Sequence, residues 1–491
     1  MIIALFLVPA LAGLLAFIIH GNTLRRALLL AVAVCHSILT AAAWSIAPAP
    51  PWGDYLALDP LGLLFLSIVS LLFLFSAIYA TGYLHREGVS DQPDILDGTM
   101  FARPPEALFT FCLLEFLATM TLVTLSQHFG LLWVAVEATT LVSAPLIYFH
   151  RNQRSLEATW KYLILCSVGI AIALLGNFFL AVAASGPTGH STPLVLGRLL
   201  ARAGGLHSQW LKAAFLLFLV GYGTKMGLAP MHSWLPDAHS ESPSFVSMLL
   251  SGALLNCAFL GLLRIFQVCD AAGQAVFARN LMVLFGFISL GTAATFLLRQ
   301  SEYKRMLAYS SVEHMGILAL GVGFGGVGAF GALLHSINHS LAKGMLFLVS
   351  GNILSAYRTR SISEVKGVLR VLPVSGVLWL AGFLAITGTP PFGLFFSEFT
   401  ILRSAVEGGR MAEAVLYLAL LGLVFAGMAG SMLRMAQGET NPESTDISRG
   451  EPASSIVPPM LLGALVLLIG LYFPAGLTGM LHKAARLLGG F

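Results

Sequence analysis

Fourteen times along this chain, about twenty mostly apolar residues run together, each run long enough to cross a bilayer. The runs fall near 2–20, 27–47, 61–84, 107–126, 129–149, 160–184, 210–229, 245–266, 276–298, 306–324, 327–354, 374–404, 412–435 and 456–474. Of the 491 residues, 57% are hydrophobic and only 10% charged, against about 25% charged in an ordinary soluble domain. The chain therefore reads as an all-α polytopic membrane protein. Its opening run, "MIIALFLVPALAGLLAFIIH", has no basic leader and no small-residue cleavage site, so it is expected to be a first span rather than a removed signal. The stretch 190–212 is amphipathic and too broken to cross, and is expected to lie along the surface.

The five cysteines (Cys35, Cys112, Cys166, Cys257 and Cys269) are scattered, with no two at metal-ligand or redox spacing. That disfavours an iron–sulfur, zinc or disulfide framework. Nor is there a glycine-rich nucleotide fingerprint or a soluble domain. No cofactor and no resident metal are expected. The net charge of +4 reads as lysine and arginine in cytoplasmic loops rather than as a nucleic-acid surface.

Those basic residues set an orientation. One choice of sides collects sixteen of them, including Arg86, Arg103 and Arg449, and leaves nine opposite. The positive-inside rule then puts both termini on the outer, periplasmic face of a bacterial or archaeal plasma membrane.

Two spans contain helix breakers. Span 7 meets "GLAP" just after Lys225, and span 12 contains "TGTPPFGLFFSEF", residues 387–399. Proline removes a backbone donor and clashes with the preceding turn, so each helix should split. Interrupted helices at corresponding places in two halves point to an inverted-repeat transport fold. Spans 4–8 and 9–13 would be the two five-helix repeats. The expected divisions are three outer helices (1–104), a first repeat (105–270), a second repeat (271–440), and a C-terminal helix with an amphipathic tail (441–491).

Each ionisable side chain at membrane depth costs at least a few kcal/mol unless it is paired or wet. Glu137 sits mid-span in "LLWVAVEATTLV", Lys225 beside the break of span 7, and Glu398 beyond the double proline of span 12. Between them lie Glu313 and His314 in "YSSVEHMGIL", and His335, His339 and Lys343 in "LLHSINHSLAKGMLF". His335 and His339, at i and i+4, share a helix face as two metal ligands would, but no third ligand follows at a recognisable spacing. With Lys343 one turn further on, the row reads instead as a hydrated relay. Glu115 reads equally as an interhelical hydrogen-bonding residue or a lateral contact. His232, Asp237, His239 and Glu241 belong to a loop by the span-7 break, where solvation or function would account for them equally. Lys304 and Arg305 stand at a helix mouth, where they can snorkel.

Glu137 and Lys225 differ from these: both are deep, and their signs are opposite. In low dielectric a lysine's proton affinity depends on whether a carboxylate approaches. The expected path has Glu137 modulating Lys225, the proton crossing the His335–His339–Lys343 row, and Glu398 as the exit.

Four stretches, "KMGLAPMHSWLPDAHSESPS", "EYKRMLAYSSVEHMGIL", "HSINHSLAKGMLFLVSGNI" and "GTPPFGLFFSEFTIL", together resemble the antiporter-like membrane subunits of respiratory complex I. That family includes membrane-bound hydrogenases and multisubunit sodium/proton antiporters. The likeness covers nearly the whole chain and is strongest over 107–435; "SSVEHMG" and "LLSGALLNCAFLGLLR" are most similar to hydrogenase-4 component F. The resemblance implies fourteen helices with two inverted five-helix repeats. It places the family's helix-5 glutamate on Glu137, its helix-7 lysine on Lys225 and its helix-12 exit residue on Glu398. One position departs. Many complex I subunits carry a helix-8 lysine eight residues before the "GLLR" arginine, where this chain has Asn256. Asn256 would then hold a water, and Glu313, His314, His335, His339 and Lys343 would carry the link.

The implied role is a proton-translocating subunit whose partners are other membrane subunits and a peripheral redox arm. The alternative is a multisubunit sodium/proton antiporter module with no redox partner. A solute transporter and a non-conducting structural subunit are further rivals, and the second leaves the costly intramembrane charges unexplained.

Overall fold

A computed structural model describes residues 1–46, 48–50, 54–87, 94–96, 99–101, 105–185, 193–439 and 451–490, with backbone alone for 86–87, 94–96 and 99–101. Arg103, Arg449, the side chain of Arg86 and the start of the 190–212 stretch lie outside the described residues.

Helices run in chain order from α1 (Ile2–Ile18), α2 (Asn22–Ala43) and α3 (Pro60–Glu87), through α4 (Glu106–Leu125), α5 (Phe129–Ile147) and α6 (Gln153–Ala184). Next come α7 (Leu196–Ala201), α8 (Ser208–Met226), α9 (Trp234–Glu241), α10 (Ser244–Leu249) and α11 (Leu255–Ala271). The second half has α12 (Ala275–Leu297), α13 (Tyr303–Phe324), α14 (Val327–Tyr357), α15 (Val368–Val371), α16 (Pro373–Ile386), α17 (Gly393–Glu407) and α18 (Met411–Ala436). Helices α19 (Ala453–Leu471) and α20 (Ala475–Arg486) follow, and a two-stranded hairpin, β1 (Asp94–Leu96) with β2 (Thr99–Phe101), lies between α3 and α4. A π-helical stretch, Leu250–Leu254, joins α10 to α11.

Ten helices among the described residues are long and apolar enough to cross a membrane. The long helices α8 and α14 fall outside that set, as does the shorter α17. These three carry Lys225, the His335–His339–Lys343 row and Glu398. Their polar groups lower the apolar signal where the site is.

Burial explains why polar side chains are tolerated on the inner helices. In Ser244–Ala271 and Tyr303–Phe324, 100% and 94% of the apolar window is buried, against 33% for α2 and α18. The inner helices are shielded from lipid by an outer layer, so their polar groups meet protein.

Close packing between neighbours relies on small residues, as expected where both surfaces are apolar. On α12 and α13, a Cβ at Gly286 would lie 2.9 Å from the Gly316 carbonyl, and one at Gly316 would lie 2.8 Å from that of Gly286. On α6 and α8, a Cβ at Gly221 would lie 2.7 Å from the Gly169 carbonyl.

Both expected breaks are present. Helix α8 ends at Met226, and Gly227 adopts φ +84°, a left-handed C-cap that glycine takes without strain. The groups freed by the break are met from elsewhere: the Trp234 indole N–H donates to the Thr224 carbonyl at 2.8 Å, and the Ala229 amide to Ser289 Oγ at 2.9 Å. The second interruption, between α16 and α17, holds Gly388 at φ +64° ahead of Pro390 and Pro391. The described part of the 190–212 stretch is the short α7, a turn and the start of α8 at Ser208, with Leu196 and Leu199 buried and Arg198 exposed. It is amphipathic, as its sequence suggests.

Candidate functional site

Lys225 occupies the last turn of α8, fully buried. Its Nζ donates to Thr140 Oγ1 at 2.8 Å and to Tyr162 Oη at 2.7 Å. Glu137, one turn before Thr140 on α5, is partly buried; it accepts from Thr140 Oγ1 at 3.4 Å and from Ser167 Oγ at 2.7 Å. The two opposite charges therefore connect through Thr140 rather than by direct contact. Ser143, a turn further along α5, shares a 2.6 Å hydrogen bond with Tyr162 Oη. An ammonium buried this deeply requires partners, and here two of them are neutral hydroxyls.

Asn256, on α11, donates from Nδ2 to the Gly252 carbonyl at 2.8 Å and to Ser340 Oγ at 2.7 Å. Ser340 also donates to the Gly252 carbonyl, at 2.8 Å. Thus the π-helical stretch, Asn256 and α14 meet at one point, beside His339 in sequence. Among the described residues no partner reaches Asn256 Oδ1.

The second polar cluster is built by α13, α14 and α17. Lys343 Nζ donates to the Leu307 carbonyl at 2.5 Å and to Ser310 Oγ. His314 Nδ1 and His335 Nε2 are 2.9 Å apart, and His335 Nδ1 is 2.9 Å from Ser397 Oγ. The His314 and His339 rings lie 5.0 Å apart. Glu313, His314, His335, His339, Lys343 and Glu398 are all buried. The sequence offered His335 and His339 as a possible ligand pair. The structure instead brings His314, His335 and Glu398 together, from three helices, with ligand-capable atoms within 4.8 Å of one another.

The segment after the first break divides in two. His239, on α9, is fully buried and stacks on Phe347 with ring centroids 4.9 Å apart. Among the described residues no partner reaches either ring nitrogen of His239 or of His339. His232 is buried against the stacked rings of Phe296 and Tyr309. Asp237 faces outward and pairs with Arg305 at 2.8 Å and Lys161 at 3.1 Å. Glu241 pairs with Arg360 at 2.5 Å. A charged cavity of about 240 Å³ opens here, lined by Arg154, Glu157, Lys161, Asp237, Glu302 and Arg305 among others. Arg305 snorkels to it, but Lys304 turns inward, buried, and donates to the Ser242 carbonyl at 2.5 Å.

Glu115 lies apart from these groups. It packs against α1, where a Cβ at Gly13 would come within 2.9 Å of its Oε1.

Several polar residues gave no signal in the sequence. The hydroxyls of Tyr162, Ser167, Ser340 and Ser397 are single polar atoms on apolar helices. Thr140 also went unmarked, although it stands at i+3 from Glu137. His36 was also missed: it is buried among α2, α3 and α4, with Nδ1 2.9 Å from Ser70 Oγ and Nε2 3.0 Å from Thr121 Oγ1.

Residues 126–426 match the family model described as NADH:quinone oxidoreductase/Mrp antiporter, transmembrane. The chain belongs to that family. A hydrogenase-4 component F homolog from Methylacidiphilum infernorum is 35% identical to this antiporter-family chain over 428 residues, covering 86% of it and 87% of the relative. NADH-quinone oxidoreductase subunit N of Desulforudis audaxviator is 30% identical over 440 residues, covering 86% and 83%. In structure, a chain of the Mrp complex from a Dietzia species superposes with a TM-score of 0.84 at 20% identity, covering 99% of this chain and 97% of that one. The protein is accordingly a multi-pass, antiporter-like membrane subunit of the complex I, hydrogenase-4 and Mrp family, and Glu137, Lys225 and Glu398 all fall within the matched region.

Proposed function

We propose that this chain is the proton-translocating subunit of a complex I-related oxidoreductase, of the membrane-bound hydrogenase (hydrogenase-4/formate hydrogenlyase) type or the NADH:quinone type. Electron transfer belongs to partner subunits in a peripheral arm. This chain moves protons between sites whose affinities are coupled.

One observation carries the reading: a fully buried lysine, Lys225, held by neutral hydroxyls, with Glu137 one hydroxyl away. Small movements of Glu137 against Thr140 change the field at Lys225 and hence its hold on a proton. From Lys225 the path runs toward α11. There Asn256 reaches Ser340 beside His339. His239, His339 and Lys343 are electrostatic neighbours, as are Glu313 and Glu398. Buried ring nitrogens of this kind require hydrogen-bond partners, and water would supply them along the path. Glu398 is the exit, and His232 and His239 serve the first half near the charged cavity.

The fold that supports this path has fourteen crossings and two inverted repeats. The first is α4, α5, α6, the α8/α9 pair and α10–α11; the second is α12, α13, α14, the α16/α17 pair and α18. The fourth member of each is interrupted after a glycine of positive φ, Gly227 and Gly388. Helices α1–α3 flank the first repeat, and α19 with the amphipathic α20 closes the second. The divisions fall at 1–104, 105–270, 271–440 and 441–491, with both termini outside and Glu115 at a lateral contact with a neighbouring subunit.

Lys225→Ala and Glu398→Gln should each abolish proton translocation in inverted membrane vesicles while the protein still inserts. Full pumping in both variants would refute the assignment. The match to an Mrp antiporter family supports a second reading, sodium/proton exchange without a redox partner. Transport that requires sodium, in a complex lacking redox subunits, would select it.

A further inference from the structure

His314, His335 and Glu398 form the tightest group of potential metal ligands among the described residues. We propose that they make a binding site for a borderline divalent ion of the Zn²⁺ class, and that such an ion, once bound, locks the three helices that supply them.

Three features support this. The donor set is two imidazoles and one carboxylate, which suits zinc and its transition-metal neighbours. Mg²⁺ and Ca²⁺ instead require oxygen ligands. Second, the site is oriented in advance. Ser397 Oγ lies 2.9 Å from His335 Nδ1, leaving His335 Nε2 facing His314 Nδ1 at 2.9 Å. A metal-ligating histidine is held in the same way, by a hydrogen bond on its other nitrogen. Third, the charge can balance. Glu313 is an electrostatic neighbour of Glu398, and among the described residues no partner reaches its buried Oε2. Two carboxylates neutralise a dication; Glu313 stands outside the three-ligand group, so the fourth position would fall to water or hydroxide. Tetrahedral bonds of about 2.0–2.1 Å place two nitrogens roughly 3.3 Å apart. Binding would therefore widen the present histidine contact by a few tenths of an ångström, a side-chain adjustment.

Local spacing does not reveal this grouping, because α13, α14 and α17 each supply one ligand. Binding does not depend on the proposed proton path, but one consequence does. An ion occupying these lone pairs would remove His314 and His335 from any relay.

The test is Co²⁺ titration of the full chain, tag-free and in detergent, followed by the visible ligand-field absorption of low-coordinate cobalt. One equivalent should bind with an intense band that Zn²⁺ displaces. His335→Gln and Glu398→Gln should weaken binding roughly tenfold or more, whereas His36→Gln, whose histidine is already engaged by Ser70 and Thr121, should not. Size-exclusion profiles identify any variant that misfolds, and Ser397→Ala, which keeps every ligand, should still weaken binding. Only the faint band of hydrated cobalt in the wild type, or an unchanged band in His335→Gln, overturns the proposal. If cobalt binds as described but Zn²⁺ leaves proton flux in vesicles unimpaired, the metal site stands and the relay through these histidines falls.

Discussion

Lys225 and Glu137 are joined by one hydroxyl. Thr140 Oγ1 accepts from the ammonium at 2.8 Å and donates to the carboxylate at 3.4 Å. A direct ion pair would hold the two charges together. An intervening hydroxyl lets the carboxylate withdraw without leaving the lysine bare, because Tyr162 remains at 2.7 Å.

Thr140→Val keeps the shape of the side chain and removes the link. A hydrogen bond to a charged group contributes about 1.5–3 kcal/mol. If the link acts in the slow step, its loss should slow proton uptake roughly 10- to 100-fold. Uptake by inverted vesicles, normalised to the amount of inserted protein, measures this. A wild-type rate would mean that Glu137 and Lys225 are not coupled through Thr140.

Gly227→Ala tests how the break positions that lysine. At φ +84° an alanine would carry a left-handed penalty of roughly 1–2 kcal/mol, and its Cβ would meet Leu235 Cδ1 at 2.5 Å. The variant should melt earlier than wild type and translocate more slowly, although Lys225 itself is untouched. A thermal midpoint equal to wild type would show that the turn relaxes freely.

The all-helical membrane character and the two breaks were legible because the bilayer imposes long apolar runs, with proline and glycine where a helix must stop. The buried charges were legible for the same reason, since a lysine or glutamate in an apolar run is costly. Their partners were not. Thr140, Tyr162 and Ser397 are small polar additions to apolar helices, and which helix they face is decided by packing between distant segments. The buried pair of Asp59 and Arg264, 205 residues apart, has no trace in local sequence. The π-helical turn at Leu250–Leu254 was equally invisible, because its apolar run reads as ordinary helix.

That distant pair anchors the start of α3 to α11. Arg264 donates to both Asp59 carboxylate oxygens at 2.6 Å, with its side chain only 2% exposed. Asp59→Asn would leave the buried guanidinium without its counter-charge; with the Asp59 side chain 24% exposed, the loss should stay below the about 3–5 kcal/mol of a fully buried pair. The pH dependence has a definite sign. Burial alone would raise the Asp59 carboxyl, but the Arg264 charge, its hydrogen bonds and the Gly62 amide outweigh burial and hold it below the usual carboxylate range. This contribution is complete above the unfolded value of about 3.9 and disappears as pH falls through the lower folded value. Thermal midpoints should therefore separate wild type from Asp59→Asn at neutral pH and converge in strong acid. A constant gap across that range would assign the effect to packing.

On the proposed path, Asn256 puts a neutral group where the two halves would communicate. Its amide ties the Gly252 carbonyl to Ser340 Oγ at 2.8 and 2.7 Å, and its Oδ1 is buried with no partner among the described residues. Asn256→Leu removes both roles, yet the hydrogen bond from Ser340 to Gly252 survives. The fold should therefore lose no more than about 2 kcal/mol, the amide's two hydrogen bonds at about 1 kcal/mol each. If Oδ1 holds water between Lys225 and the histidine row, proton flux should fall far more than stability does. Asn256→Lys, which restores an ammonium at the position, should retain more flux than Asn256→Leu. Melting and vesicle flux measured on the same preparations separate the cases. Stability and flux declining together would make Asn256 a strut for the π-helical turn, and the path would have to cross elsewhere.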